Sequence, residues 1–208
     1  MTRGLIVFAR EPIPGRVKTR LAASIGDVAA ATLYGAMLRE VLETAHRLED
    51  VAVHLFWDCE EGALPRVAES FCCRSHRQSA GDLGERMAAA FDQLYAEGYT
   101  SCCIIGSDAP DLPPSYIQDA FQLLESAVAQ VIFGPCSDGG YYLLGMKASH
   151  PELFSGIPWS TGSVLERSRE AAITAGLTVA LLPEWQDIDT LADFQAFQKR
   201  TQEKGTKP

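Results

Sequence analysis

The run Val51-Ala52-Val53-His54-Leu55-Phe56-Trp57 is apolar on both of its alternating faces. A strand with no wet side belongs in the interior of a parallel sheet covered by helices. The runs Leu5 to Phe8, Thr100 to Gly106, Ala129 to Gly134 and Thr178 to Leu182 also read as strands, and Tyr141 to Met146 as a returning strand after a tight glycine turn. Between them lie stretches with helical spacing. Leu33, Met37, Val41, Ala45 and Leu48 mark a helix that Asp27 can cap. Leu83, Met87, Ala90, Phe91 and Leu94 mark a second, opened by the capping box Asp82/Glu85. Ile117, Phe121, Leu124 and Val128 mark a third, started by Pro113 and Pro114. Shorter helices are expected over Glu60 to Ser70, Gly162 to Ala175 and Leu191 to Lys199, with a weak strand or turn from Cys73 to Gln78. Strands alternating with helices predict an α/β sandwich with a mainly parallel sheet. No repeat or linker interrupts residues 1 to 200, so one domain is expected, followed by a polar tail from 201 to 208. His54, inside its strand, reads as a core histidine with a satisfied hydrogen bond.

Charge and cysteines narrow the class of function. The chain of 208 residues has a formal net charge of -9, and an acidic body does not suit a general nucleic-acid binder, which needs a broad basic face. No apolar run approaches the roughly 20 residues that span a bilayer. Leu5 to Ala9 is too short for the apolar core of a signal peptide, so a cytoplasmic location is expected. The six cysteines fall as two adjacent pairs and two singles, which is not a zinc-ligand spacing. Cys102 and Cys103 would point to opposite faces of their strand. Free, mostly buried thiols are expected.

Three loops that follow strands carry the candidate chemistry. The first, Ala9-Arg10-Glu11-Pro12-Ile13-Pro14-Gly15-Arg16-Val17-Lys18-Thr19-Arg20-Leu21, holds four basic residues against one acid. It lacks the glycines of a dinucleotide fingerprint, and Val17 precedes Lys18-Thr19 where a P-loop has glycine. What is left is binding by side-chain charge, with forked arginines and a lysine point charge suited to a di- or triphosphate. The second is Gly106-Ser107-Asp108-Ala109-Pro110-Asp111. A carboxylate directly after an apolar strand, facing a phosphate loop, is a natural Mg²⁺ or Mn²⁺ ligand, and it equally fits a turn cap ahead of Pro110. The third is Pro135-Cys136-Ser137-Asp138-Gly139-Gly140, which serves either as a close backbone approach to a ligand or as an ordinary hairpin turn. Late in the chain Asp187-Ile188-Asp189-Thr190 adds two more carboxylates, and Asp189 fits a helix cap as well as a ligand. In parallel sheets ligands bind outside the carboxyl ends of strands, so these loops are expected to converge on one edge.

Six motifs in order span about residues 3 to 197. They are Arg10-x-Pro12-x-Pro14-Gly15-x-x-Lys18-Thr19-Arg20-Leu21, Gly81-x-Leu83-Gly84-x-Arg86-Met87, Gly106-Ser107-Asp108-x-Pro110-x-Leu112, Gly134-Pro135-x-x-Asp138-Gly139-Gly140-Tyr141-Tyr142, Trp159-Ser160-Thr161 and Asp187-x-Asp189-Thr190. Together they resemble a bacterial family of the nucleotide-diphospho-sugar transferase superfamily, with the glycosyltransferase-A fold, a three-layer α/β/α sandwich. Lys18 to Leu21 also resembles phospholactate guanylyltransferases, and Asp108-x-Pro110 resembles molybdenum-cofactor nucleotidyltransferases. The chain departs from the usual Asp-x-Asp of glycosyltransferases, having Ser107-Asp108-Ala109 and then Asp111, and it lacks the long glycine-rich loop of sugar-phosphate nucleotidyltransferases.

The resemblance implies a nucleotide site in which Arg10, Pro14, Gly15, Arg16, Lys18 and Arg20 form the phosphate loop and Gly81 to Arg86 border base and ribose. Asp108 would hold Mg²⁺ or Mn²⁺, with Asp189 a second ligand. Asp138, Gly139, Gly140, Tyr141, Trp159, Ser160 and Thr161 would line the sugar or acceptor side. Lys18, Asp108 and Asp138 are the candidate catalytic residues, Asp138 as base or acceptor-orienting group. The expected activity is metal-dependent transfer from a nucleotide-activated donor, led by glycosyl transfer from an NDP-sugar to a small acceptor. The rivals are nucleotidyl transfer from an NTP with release of pyrophosphate, and a non-catalytic nucleotide- or sugar-phosphate-binding regulator. A monomer or homodimer is expected, with Trp185 either under the last helix or in a dimer contact.

Overall fold

The computed structural model describes residues 2–59, 71, 73–126 and 128–205; the helix expected over Glu60 to Ser70 lies outside them. Its elements are β1 (Arg3–Arg10), α1 (Thr19–Ile25), α2 (Asp27–His46), β2 (Val51–Asp58), β3 (Arg74–Arg77), α3 (Leu83–Ala96), β4 (Ser101–Ile105), α4 (Pro114–Glu125), β5 (Val131–Pro135), β6 (Tyr141–Met146), a 3-10 turn (Pro151–Leu153), α5 (Val164–Thr174), β7 (Val179–Leu181) and α6 (Leu191–Gly205). The strands form one seven-stranded sheet in the order β3-β2-β1-β4-β6-β5-β7. All neighbours are parallel except β6, which runs antiparallel to β4 and β5.

Alternation along the strands divides the core into two layers. Leu5, Val7, Leu55, Trp57, Cys103 and Ile105 face Leu38, Val41 and Leu42 of α2 and Ile117, Phe121 and Leu124 of α4. Ile6, Phe56, Cys102, Ile104, Phe133 and Leu144 face Met87, Phe91 and Leu94 of α3 and Ala172 of α5. Helices therefore cover both faces, as the doubly apolar strands require. Cys102 and Cys103 fall in opposite layers, and burial raises the pKa of both thiols. His54 is fully buried, and its Nδ1 lies 2.9 Å from Nε2 of His76.

The structure amends several boundaries. The basic loop does not lead straight into the long helix: α1 intervenes, and Gly26, at φ 86°, separates it from α2. Asp27 opens α2 as its first residue while Gly26 holds the cap position. Leu83 is 43% exposed, because it sits at the first position of α3 before the buried stripe begins. Val128 is exposed because α4 ends at Glu125, leaving Val128 beyond the helix. The last helix continues past Lys199 to Gly205. Trp185 packs under it: the Arg200 guanidinium lies 5.6 Å from the indole centroid.

Sheet order places the site. From β1 the chain runs outward through β2 to β3 on one side, then returns to add β4 on the other side of β1. Loops leaving the carboxyl ends of β1 and β4 diverge at such a switch point and leave a crevice between them. The β5–β6 hairpin turn lies at the same edge, because β5 shares the direction of β1.

Candidate functional site

The loop after β1 begins with a tight turn in which the Arg16 N–H donates to the Ile13 carbonyl at 3.0 Å, with Gly15 at φ 78°. Proline at the second position and positive φ at the third are the pattern of a type II turn. Val17 is then buried in a small cluster with Ala31 and Tyr34. Lys18 follows in the left-handed conformation, φ 48° and ψ 44°, at the cap position of α1. Its side chain is only 5% exposed, and Nζ lies 2.8 Å from Asp108 Oδ1 and 2.7 Å from Asp189 Oδ1. Burial works against the ammonium, but Asp108 and Asp189 outweigh it and hold the Lys18 pKa above its ordinary value.

The two carboxylates arrive from distant elements. Asp108 follows β4, where Ser107 is buried and Asp108 projects toward the crevice. The Ile188 N–H donates to the Asp108 carbonyl at 2.9 Å, tying the segment before α6 to the turn after β4. Asp189 does not cap α6. That role belongs to Thr190 and Asp193: the Thr190 N–H and hydroxyl donate to Asp193 Oδ2, and the Asp193 N–H reaches back to Thr190 Oγ1. The Asp189 side chain is thereby left to face Lys18. Asp187 stands close by, accepting from the Cys136 thiol at 3.5 Å. Burial first, then the charges of Asp108 and Asp189, push the Asp187 pKa up to about 7. Asp111 plays no part in the cluster; Arg200 and Trp185 hold it beneath α6.

Toward β2 the crevice presents a second ion-paired group. Asp58, the last residue of β2, lies 3.4 Å from Arg10 Nε and 3.2 Å from an Arg86 terminal nitrogen. Arg86 also donates from Nε to the Gly81 carbonyl at 3.0 Å. The predicted capping box forms, with Glu85 N–H to Asp82 Oδ1 at 2.9 Å and Asp82 N–H to Glu85 Oε2 at 2.8 Å. Gln78 donates to the ends of β1 and β2 through Ala9 O and Phe56 O.

Toward β6 lies the hairpin turn. The Gly139 N–H donates to Cys136 O at 3.2 Å, and Asp138 Oδ1 accepts the Gly140 N–H at 2.9 Å. Gly139 serves packing against the chain itself: a Cβ there would overlap the Gly162 carbonyl, and the Leu165 N–H donates to Gly139 O at 2.9 Å. This staple holds the loop of Trp159, Ser160 and Thr161 beside the turn. Trp159 lies so close to α3 that a Cβ on Gly84 would meet its indole ring at 2.5 Å.

These groups surround one cleft of about 1040 Å³, at the upper end of the range of ligand sites. Of the residues expected from the sequence, Arg10, Lys18, Arg20, Gly81, Arg86, Asp108, Asp138, Gly140, Tyr141, Trp159, Ser160, Thr161 and Asp189 line it. Pro14, Gly15 and Arg16 are outside the lining and belong to the turn that sets up Lys18. Gly139 is also outside the lining. The first loop is less cationic in place than in sequence, since Lys18 is paired with two aspartates and Arg10 with Asp58. Tyr34 and Asp58 line the cleft without having been singled out from the sequence, and Ser107 and Asp187 line it without having been given a role there. Asp58 carries the same signal as Asp108, a carboxylate ending an apolar strand; Tyr34 had only its place on a buried helix face.

Among the described residues no group of three or more His, Cys, Asp or Glu side chains could hold a metal by itself. Asp108 and Asp189 nonetheless converge on one ammonium-sized point. That donor set fits Mg²⁺ or Mn²⁺, which take one or two protein carboxylates and complete their shell with substrate phosphates and water.

Comparison with known proteins agrees with this architecture. Residues 41–161 match the family model described as "Uncharacterized protein conserved in bacteria (DUF2064)". A candidate nucleotide-diphospho-sugar transferase from Desulfovibrio desulfuricans G20 is 32% identical, with a TM-score of 0.90, over 96% of this chain and 87% of that one. CMP:2-keto-3-deoxy-manno-octonic acid synthetase, in complex with CTP, is 12% identical with a TM-score of 0.63, covering 98% of this chain and 100% of that one. Glucosyl-3-phosphoglycerate synthase from Mycobacterium tuberculosis, in complex with Mn²⁺, UDP and glucosyl-3-phosphoglycerate, is 12% identical with a TM-score of 0.59, covering 96% of this chain and 76% of that one. At such identities the last two speak for the fold alone, which is that of the nucleotide-diphospho-sugar transferases and nucleotidyltransferases. No curated protein sequence matches the chain.

Proposed function

Taking as premise that the chain belongs to the family described as "Uncharacterized protein conserved in bacteria (DUF2064)", we propose that it is a divalent-metal-dependent transferase using a nucleotide-activated donor. The leading version transfers a sugar from an NDP-sugar to a small acceptor. One observation carries the reading: Lys18, Asp108 and Asp189 meet within 2.8 Å contacts on the floor of the cleft, at the sheet's switch point. Asp108 and Asp189 would hold Mg²⁺ or Mn²⁺, which when bound supplies positive charge beside the phosphates.

The chain's own residues then divide the work. Lys18, Arg10 and Arg20 meet the donor phosphates and stabilise the charge that grows on the departing diphosphate, where fixed cations help most. Gly81 and Arg86 border the nucleoside. Trp159 and Tyr141 give the far half of the cleft an aromatic wall, suited to the apolar face of a sugar ring. In the transfer, the bond from the anomeric carbon to the diphosphate oxygen breaks and a bond to the acceptor oxygen forms. Asp138 takes the acceptor's proton, its carboxylate being positioned by the Gly140 N–H on Oδ1.

A second reading is nucleotidyl transfer. Four cations, Arg10, Lys18, Arg20 and Arg86, line the cleft, a number suited to a triphosphate whose pyrophosphate leaves. Incubation with panels of NDP-sugars and NTPs, with Mn²⁺ or Mg²⁺ and small acceptors, separates the two. Release of NDP with glycosylated acceptor supports the leading version. Pyrophosphate release from NTPs alone replaces it with the second, and tight binding without turnover over a broad acceptor panel leaves a binding protein.

A further inference from the structure

Lys18 is placed where a phosphate-binding lysine is least free to act. Its Nζ contacts one oxygen of each of the two carboxylates suited to a divalent cation, and its side chain is 5% exposed. Packing aims it there. Val17 is anchored beside Ala31 and Tyr34, the backbone at Lys18 turns through the left-handed region, and α1 begins at the next residue. A residue other than glycine holds that conformation only when its surroundings compel it.

We propose that Lys18 is a built-in counter-cation, competing with the divalent metal for Asp108 and Asp189. Ammonium and dication need the same two oxygens, and like charges at contact distance repel strongly in a partly desolvated cleft. The protein alone therefore binds metal weakly. Donor phosphates offer Lys18 another anion, since Lys18, Thr19 and Arg20 line the same cleft. Drawing Lys18 off the carboxylates admits the metal, so nucleotide and metal each raise the other's affinity by the same factor. The nucleotide half of this coupling rests on the proposed transferase reading; the competition between Lys18 and metal does not.

Calorimetric titration of the nucleotide-free protein with Mn²⁺ tests the competition directly. Lys18→Met should bind Mn²⁺ at least about tenfold more tightly than the unaltered protein, a typical size for such coupling. Lys18→Arg, which keeps the charge, should stay near the unaltered value, and Asp189→Asn added to Lys18→Met should abolish the gain. Equal or weaker binding by Lys18→Met overturns the proposal. A measurement on the unaltered chain guards against a variant that does not fold. Acetylation of Lys18 by an amine-reactive ester, read by mass spectrometry against exposed Lys199, should speed up several-fold at saturating Mn²⁺; an unchanged ratio overturns it. If both results hold and no nucleotide binds, the counter-cation stands and the transferase reading falls.

Discussion

The Tyr34 and Ser107 hydroxyl oxygens lie 2.8 Å apart, and the Arg10 N–H donates to the same phenol oxygen at 2.8 Å. One side chain on α2 thereby joins the end of β1 to the turn after β4. Burial, and then the charge of Asp108, raise its pKa, so the phenol stays neutral. Tyr34→Phe would take this partner from the Arg10 N–H and from the buried Ser107 hydroxyl at once, costing about 1–3 kcal/mol. Chemical denaturation measures that loss. Because Arg10 and Asp108 are held through this bridge, the Michaelis constant for the donor should rise as well.

Asp108 and Asp111 are three residues apart and should respond oppositely to amidation. Asp111 is tied to Arg200 Nε at 3.1 Å, with its side chain 8% exposed. Removing its charge leaves a guanidinium without its partner, so Asp111→Asn should lower stability by about 1–3 kcal/mol while turnover per folded molecule holds. Asp108→Asn should leave stability nearly intact, since Lys18 keeps Asp189. It should cut turnover by about 10²-fold or more, as loss of a preorganised charge at a reacting group does. Thermal melts beside turnover assays on both variants distinguish the roles.

What the sequence made legible were features that repeat within one element. The doubly apolar β2, the helical stripes apart from Leu83 and Val128, the Asp82/Glu85 capping box and the prolines opening α4 appear where their local patterns placed them. The cleft half of the site followed from a rule about strand ends. What stayed hidden depended on partners far apart in the chain. The meaning of Lys18 changed because Asp189, 171 positions away, reaches it. Asp189 itself was ambiguous until Thr190 and Asp193 were seen to cap α6 without it. Gly139 looked available to a ligand, yet its space is taken by the backbone at Gly162, which no local pattern announces. Helix α1 was missed because it has no acid in its first turn, no side-chain cap and a lysine in the left-handed region before it.

Acidification should act through the histidine pair. The Gln93 amide nitrogen is 2.8 Å from His76 Nδ1, and His76 Nε2 is 2.9 Å from His54 Nδ1. Gln93 also donates to Glu97, so His76 Nδ1 accepts and its Nε2–H donates to His54. Burial, then the His76 charge, lowers the His54 pKa to about 4, with Arg74 adding to the effect and Glu97 opposing it; burial lowers His76 as well. Both rings are neutral when folded, and the unfolded chain takes up protons below about pH 6.5. Their contribution is therefore complete above that pH and is lost as pH falls toward 4, by about 3 kcal/mol for His54. Denaturation midpoints between pH 7 and 4 should show the slope, and His54→Leu should flatten it. An unchanged slope would place the acid sensitivity elsewhere.

Gly84 sets two effects against each other. It lies in the first turn of α3, where alanine is intrinsically favoured by about 0.5–1 kcal/mol. A Cβ there would stand 2.5 Å from the Trp159 indole, closer than carbon atoms approach, so the ring must shift. Trp159 sits on a loop held at one end by the Gly139–Gly162 staple, and the Thr161 hydroxyl donates to Pro158 O at 2.7 Å. The ring can therefore move toward the cleft more easily than the loop can detach. Gly84→Ala should accordingly change stability by less than about 1 kcal/mol, helix propensity offsetting most of the displaced packing. Its effect should appear in the cleft: a Michaelis constant raised for the ligand on the Trp159 side, with that for the metal–nucleotide side and the turnover number little altered. Trp159→Phe, with a smaller ring, should relieve the overlap and restore the constant in the double variant. A Gly84→Ala protein with unchanged constants for both substrates would remove Trp159 from the binding wall.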